Sequence, residues 1–405
     1  MSLPLKPYRV CFYGVATHLG GAEKSLLELL VGIKTMNERV IPWVLLPKPK
    51  GLLIDALRRE GISFEILEMP QLLLRMSRSK PIRSLVFAVM ASPFIFFYIV
   101  QLIIILKKER INLIHTTGLK CHYFSAFVKL WTGIPVIWHL RDLFEKPQSY
   151  FLYFFKKILR IEWIANSKAT ALHFKEDQIP VVYNGLDPKL YHQQPNDSFR
   201  SIFQVDSSVP ILGIVGVFAR WKGQLEFLEM AETLMLQGKT VRFVLIGDTV
   251  YDTDGDLDFK KEVLERIQRL PKKEWVYCCG FQKDVTTAIN GLDLIIHASL
   301  RPEPFGRVVL EAMACEVPVV ASASGGILEM IEDGKTGCLF SHSVPGDLAR
   351  QVIYLLDDSK RRLAMVREAR QVFLKKFTLH TYAESMVKLC ERICRDETKI
   401  GLLDS

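Results

Sequence analysis

Short apolar runs alternate with helical patterns along the first half of the chain, and the alternation restarts in the second half. Arg9-Val-Cys-Phe-Tyr reads as a strand, and a loop rich in small residues, Gly14 to Gly21, leads into a helix carrying Leu26, Leu27, Leu29 and Leu30. Val40 to Leu46, Leu113 to His115, Pro135 to Trp138 and Trp163 to Ala165 read as further strands. A linker with turn residues follows, marked by Asp187-Pro188 and Gln194-Pro-Asn-Asp-Ser, and a second series starts at Ile211-Leu-Gly-Ile-Val. Strands separated by helices predict a parallel sheet covered on both faces. At 405 residues the chain exceeds what one core serves, so two such α/β domains in tandem are expected. In open sheets of this kind, ligands bind beyond the carboxyl ends of the strands.

One such end is rich in chemistry. From Arg301 to Ala312 the chain reads R-P-E-P-F-G-R-V-V-L-E-A, directly after Asp293-Leu-Ile-Ile-His, a predicted buried strand. Gly306 opens an amphipathic helix, which puts Glu303 in the loop ahead of it and Glu311 about a turn inside it. The first amides of a helix have no intrahelical partner and face the positive end of its dipole. They make an anion site, most naturally for a phosphate. A phosphate site flanked by two carboxylates suits a nucleotide-sugar, with amides on the diphosphate and carboxylates on pairs of hydroxyls.

At these residues the sequence resembles a known family. E-P-F-G-x-x-x-x-E-A-M is similar to the E-x7-E signature of the GT-B glycosyltransferases, especially family 4. The resemblance extends through Pro318-Val-Val-Ala-Ser, Gly325-Gly-Ile-Leu-Glu and Asp333-Gly-Lys-Thr-Gly, and upstream through Gly20-Gly-Ala-Glu, Asn184-Gly-Leu-Asp, Gly213-Ile-Val-Gly, Lys222-Gly-Gln and Leu245-Ile-Gly-Asp. It implies two tandem Rossmann-like domains with an interdomain cleft. Residues 1–195 would form the acceptor-binding domain and 196–379 the nucleotide-sugar domain. Residues 380–405 would hold a helix, from about His380 to Cys394, that packs back on the first domain.

The resemblance also implies roles. Glu311 is expected on the nucleotide ribose and Glu303 on hydroxyls of the transferred sugar, as a positioning group rather than a nucleophile. Gly20, Gly21, Phe305, Gly306 and Arg307 complete the expected donor site, the alternatives for Gly20 and Gly21 being close approach to the acceptor or simply a turn of the chain. Transfer would retain anomeric configuration, with departure and attack on one face and a donor phosphate oxygen taking the acceptor proton. Catalysis is then mainly positioning and charge stabilisation. Lys222 and Arg220 are the candidates to hold the leaving diphosphate. Lys222 matches the family lysine, but Val217 stands where the family commonly has an arginine, and Arg220 would have to substitute for it. His139 matches a family histidine near the sugar and diphosphate. Arg141 and Asp142 pair with each other or reach the acceptor, and the sequence does not choose between these. Asp252-Thr-Asp254 resembles a metal-binding D-x-D, but it sits in a run with Asp256 and Asp258 that reads as a solvated loop. No metal and no cofactor beyond the donor substrate are expected.

Charge is uneven. Residues 1–200 hold 27 Lys and Arg against 15 Asp and Glu, and residues 201–405 hold 26 against 29, so the net +9 arises in the first half. Such asymmetry points to an anionic partner. No RNA motif, zinc finger or recognition-helix pattern is present, so nucleic acid is not expected. An anionic membrane surface fits better. Leu85 to Leu106 is a long apolar stretch interrupted by Pro93, which favours a break into two helices. Arg75, Arg78, Lys80 and Arg83 precede it and Lys107, Lys108 and Arg110 follow, and Phe151-Leu-Tyr-Phe-Phe-Lys-Lys-Ile-Leu-Arg adds a second aromatic and basic segment. A single span would separate residues of one predicted sheet, so a monotopic attachment through the first domain is expected. The alternative for the stretch is a buried helix of that domain. With no C-x-x-C pattern among the eight cysteines and no signal peptide, the expected location is the cytoplasmic face of the membrane.

The function expected from the sequence is therefore a retaining, metal-independent glycosyltransferase. It would move a sugar from a nucleotide-diphosphate sugar to a lipid-linked or cell-envelope saccharide. The rival functions are a nucleotide-sugar epimerase of related fold and a catalytically silent membrane-binding scaffold.

Overall fold

The structure is a computed structural model that describes residues 7–14, 20–36, 38–71, 92–143, 146–174, 178–195, 197–204, 206, 208–249 and 256–403. The chain divides into two units. The first comprises residues up to Gly185 together with those from Leu379 onward, and the second is Leu186–Thr378.

The first unit contains β1 (Tyr8–Tyr13), β2 (Val40–Leu46), β3 (Ser63–Ile66), β4 (Leu113–Thr117), β5 (Val136–Leu140) and β6 (Glu162–Ala165). They form one parallel sheet in the order β3-β2-β1-β4-β5-β6. The second unit contains β7 (Ile211–Val215), β8 (Arg242–Ile246), β9 (Val276–Gly280), β10 (Leu294–His297), β11 (Val319–Ser322) and β12 (Cys338–Phe340). Its parallel order, β12-β11-β10-β7-β8-β9, is the same winding repeated. In each sheet the first strand lies centrally, the next two build to one side and the last three to the other. This is the doubly wound Rossmann order.

The strands look as they do because both faces are covered. Val10, Cys11, Phe12 and Tyr13 are buried in succession, as are all five residues of β5. Successive side chains point to opposite faces, so consecutive burial means helices on both. Helix Gly21–Met36 buries Leu26, Leu29, Leu30 and Ile33 at helical spacing. Helix Leu379–Leu403 lies against it and adds Tyr382, Ala383, Met386, Val387, Cys390 and Ile393 to the apolar cluster that also holds Val10 and Phe12.

The apolar stretch of the first unit is two-faced. Residues 85–91, with Arg75, Arg78, Lys80 and Arg83 before them, lie outside the described residues. From Ser92 to Lys108 the chain is one helix with Pro93 in its first turn, where proline costs no hydrogen bond. Tyr98, Ile99, Leu102 and Leu106 are buried, and the Tyr98 hydroxyl bonds that of Tyr13 at 2.8 Å. The other face exposes Phe94, Phe96, Phe97 and Ile104. From Ser92 onward the helix thus has one buried and one exposed face. Among the described residues, no helix is long and apolar enough to cross a membrane.

Candidate active site

The strands of the second sheet are parallel, so the loops leaving their carboxyl ends emerge along one edge. The loops after β7 and β11 meet the loop after β10 at Glu303. Lys222, after β7, places Nζ 2.6 Å from Glu303 Oε1. Ser299, after β10, donates its hydroxyl to the same oxygen at 2.5 Å. His297, the last residue of β10, puts Nε2 at 3.0 Å. His342, after β12, bonds the Ser299 carbonyl through Nε2 at 3.1 Å. Glu303 is 8% exposed. Burial alone would raise its pKa, but Lys222 and His297 overcome that and hold the carboxyl well below the usual range. His297 Nδ1 is buried and has no hydrogen-bond partner among the described residues.

Backbone packing fixes this arrangement. Gly223 follows Lys222 with φ +81°, and a Cβ there would fall 1.9 Å from the Ala298 carbonyl oxygen. The Leu300 amide donates to the Trp221 carbonyl at 2.8 Å, locking the lysine loop to the end of β10. On the other side, Gly325 has φ +62°, and its Cβ would fall 2.3 Å from the Glu303 carbonyl oxygen. The Gly326 amide donates to that oxygen at 2.9 Å. The Lys-Gly and Gly-Gly pairs of the sequence are therefore places where only glycine lets two backbones touch.

Gly306, at φ +94°, leads into helix Arg307–Ala314, whose N-terminus no side chain caps. Glu311 lies inside that helix, 3% exposed, with Oε1 accepting from Arg307 Nε at 2.8 Å. Arg307 Nη2 also donates to the Tyr191 hydroxyl at 2.9 Å, and Arg370 holds the Tyr191 carbonyl at 2.8 Å. The Phe305 ring is buried against Phe377. Arg220 sits apart from the Glu303 cluster. Its guanidinium grips both carboxylate oxygens of Glu262 and lies over the Phe259 ring, with the side chain 66% exposed. The structure thus brings Lys222 to Glu303 and Arg307 to Glu311, and directs Arg220 to helix Asp256–Gln268.

In the first unit, His139 is fully buried near the end of β5, with Nδ1 3.1 Å from His115 Nε2. Burial first, then the nearby Arg141, push His115 down to about 3 and hold His139 well below the ordinary histidine value. Both rings are therefore neutral at physiological pH, and His139 carries no charge. Arg141 bonds the Asn184 side chain at 3.0 Å. The Gly20 amide donates to Glu23 at 3.1 Å, at the start of the helix that Gly21 begins. Asp252 and Asp254 lie outside the described residues.

Sequence reasoning did not single out His297, Ser299, His342, Tyr191 or His115. His297 had one signal, its place at the end of a buried strand just before the two glutamates. Tyr191 and His342 had none, because their partners are distant in sequence.

Comparison with known proteins gives a consistent result. Residues 196–372 match the family described as glycosyl transferases group 1, and residues 19–190 match glycosyltransferase family 4. The chain is 26% identical over 219 residues to N-acetyl-alpha-D-glucosaminyl L-malate synthase of Bacillus anthracis, covering 54% of this chain and 55% of that protein. It is 25% identical over 218 residues to lipopolysaccharide 1,2-N-acetylglucosaminetransferase of Salmonella typhimurium, covering 52% and 57%. These alignments span little more than half the length of the curated relatives. The crystal structure of Anabaena Alr3699/HepE in complex with UDP superposes with a TM-score of 0.79 at 24% identity, over 95% of this chain and 100% of that one. At that identity the likeness is one of fold.

Proposed function

We propose, for a chain that belongs to the GT-B glycosyltransferases of the family 4 type, that it transfers a sugar from a nucleotide-diphosphate sugar, with retention, to a lipid-linked or cell-envelope saccharide at a membrane surface. The observation that carries the donor half of this reading is the pairing of a buried, ionised Glu303 with Lys222 beside an uncapped helix start. In this reading the amides at Gly306 and Arg307 face the diphosphate, Glu311 takes the ribose, and Glu303 takes sugar hydroxyls. Lys222 turns from Glu303 to the phosphate oxygens as negative charge grows there. The bond from the anomeric carbon to phosphate breaks, the bond to the acceptor oxygen forms on the same face, and a phosphate oxygen takes the acceptor proton. The products are a glycoside and a nucleoside diphosphate. The groups named need no metal ion for this, and His139 would contribute a hydrogen bond.

Thermal-shift measurements with UDP, GDP and ADP, each alone and as nucleotide-sugars, test the donor half. A nucleotide at 100 times its Kd should stabilise the protein by about 2.7 kcal/mol. Glu311→Gln should weaken nucleoside diphosphate binding by roughly tenfold, as expected for a hydrogen bond lost to a charged group. Glu303→Gln should leave that binding intact and impair turnover. Glutamine is preferred to alanine because its amide oxygen can still accept from Lys222. Equal loss of nucleotide affinity in both variants would refute the assignment. Epimerised sugar appearing without an acceptor would move the chain to the epimerase class, and a protein that binds no nucleotide would be a scaffold.

The acceptor half rests on the first unit. Helices Ser92–Lys108, Leu119–Thr132 and Lys146–Leu159 pack in sequence and expose Phe94, Phe96, Phe97, Trp131, Phe154 and Ile158. Lys107, Lys108, Lys129, Lys156 and Lys157 lie on the same three helices. Each cation near an anionic surface contributes about 1 kcal/mol, and aromatic side chains enter the interface. This surface favours a monotopic attachment, on the cytoplasmic face, where a lipid-linked acceptor would be presented. That one relative is named for lipopolysaccharide is in keeping with it. Sedimentation with vesicles should need anionic lipid and weaken with salt. Changing Phe94, Phe96 and Phe97 together to serine should lower binding by about tenfold or more while the melting temperature stays near wild type. Indifference of the wild type to anionic vesicles would refute the membrane reading and leave the donor reading standing.

A further inference from the structure

Glu303 is held in an unusual way: Lys222, Ser299 and His297 all address one of its two oxygens, Oε1. In the reading above, Lys222 is needed elsewhere once a diphosphate arrives. Its departure would strip a buried carboxylate of its nearest cation, and such a carboxylate would protonate or swing unless something else held it. Ser299 supplies one neutral hydrogen bond. The remaining donor is His297.

We propose that His297 is a positioning residue for donor turnover, keeping Glu303 ionised and its second oxygen, Oε2, aimed at the sugar while Lys222 serves the diphosphate. This rests on the donor reading of the site. The geometry that carries it is local. His297 is 6% exposed and ends β10, so its ring is fixed by the sheet rather than by a loop. Ser299 Oγ lies 3.4 Å from His297 Nε2 but spends its proton on Glu303, so the Nε2–H points to the carboxylate. Nε2 is thus the ring nitrogen that donates to Glu303. When Lys222 leaves, the Nε2–H bond to Oε1 stays in place without any movement of the ring. The ionisable groups around His297 in the described structure are Glu303, Lys222 and, through the Ser299 carbonyl, His342.

The test compares wild type, His297→Ala and His297→Gln, with UDP, ADP and GDP and with their glucose and N-acetylglucosamine conjugates. Donor cleavage, to water or to acceptor, is followed across pH. His297→Ala should bind the nucleoside diphosphate as wild type does and cleave the donor roughly 10- to 100-fold more slowly, the range of one hydrogen bond to a charged group. His297→Gln, which keeps an N–H near the Nε2 position, should recover most of that loss. The acid limb of the rate profile should move to higher pH in His297→Ala, because Glu303 then protonates more readily. A merely structural histidine would lower stability without moving that limb. Cleavage by His297→Ala at the wild-type rate, or an unmoved acid limb, overturns the proposal while the donor reading survives. A wild type that binds none of the nucleotides overturns both.

Discussion

Lys222→Ala is expected to lower turnover by roughly a hundredfold or more, the typical loss when one charge-assisted contact to a developing anion is removed. The structure adds a second effect. Lys222 is also the partner of a buried carboxylate, and deleting one member of such a pair typically costs about 3–5 kcal/mol of stability. The two effects separate in a double variant. Lys222→Met with Glu303→Gln removes both charges, so the thermal midpoint should return toward wild type while turnover stays low. If turnover in Lys222→Ala remained near wild type, the lysine would serve only to neutralise Glu303. Arg220→Ala gives the matching control. Its side chain is bound to Glu262 on an exposed surface, so a comparable loss of turnover would mean that Arg220 leaves Glu262 for the donor and does the work of the arginine absent at Val217.

The second large effect is acid lability of the first unit. His115 titrates near 3 when folded and His139 well below its ordinary value, against about 6.5 for each when unfolded. The unfolded chain therefore binds protons that the folded chain refuses. Stability is intact above pH 6.5 and falls as pH drops from there toward 3. At pH 5 the His115 ring alone should cost about 2 kcal/mol, and His139 adds to the loss in the same direction. Denaturant titrations at pH 7.5 and pH 5, with hydrogen exchange of the β4 and β5 amides to report on this unit, should show the loss. His115→Gln should remove about 2 kcal/mol of it. Equal stability at the two pH values would mean that the rings are hydrated. The depressed carboxyl of Glu303 has the same sign, but its window lies below the ordinary carboxylate range.

The sheets were legible from residue pattern because burial on both faces leaves an unbroken apolar run, as in Val40–Leu46 and Ile211–Val215. The edge strands β3, β9 and β12 escaped notice because each is short and few of their residues are fully buried. Glu303 in a loop and Glu311 within a helix followed from one glycine, Gly306, at a helix start. Their surroundings did not follow. Lys222 and Glu303 stand 81 positions apart, and only the adjacency of β7 and β10 brings them together. His342 reaches the site through β12, whose place beyond β11 no local pattern encodes. Arg220 illustrates the opposite limit. Its position beside Lys222 favoured a shared role, but its side chain finds Glu262 across the second unit, and a sequence neighbour says nothing about direction.

Helix Leu379–Leu403 belongs to the first unit although the whole second unit precedes it in the chain. During synthesis this has a temporal consequence. The ribosome must translate Leu186–Thr378 before the helix that packs on Gly21–Met36, with Leu379 and Ala383 against Gly32, exists, an interval on the order of 10 s or more at ordinary elongation rates. Throughout that interval an apolar strip of helix Gly21–Met36 has no intramolecular cover. The nascent first unit is thus a natural client for a holding chaperone, whereas the second unit, continuous in sequence, closes its own core as soon as Thr378 has left the tunnel.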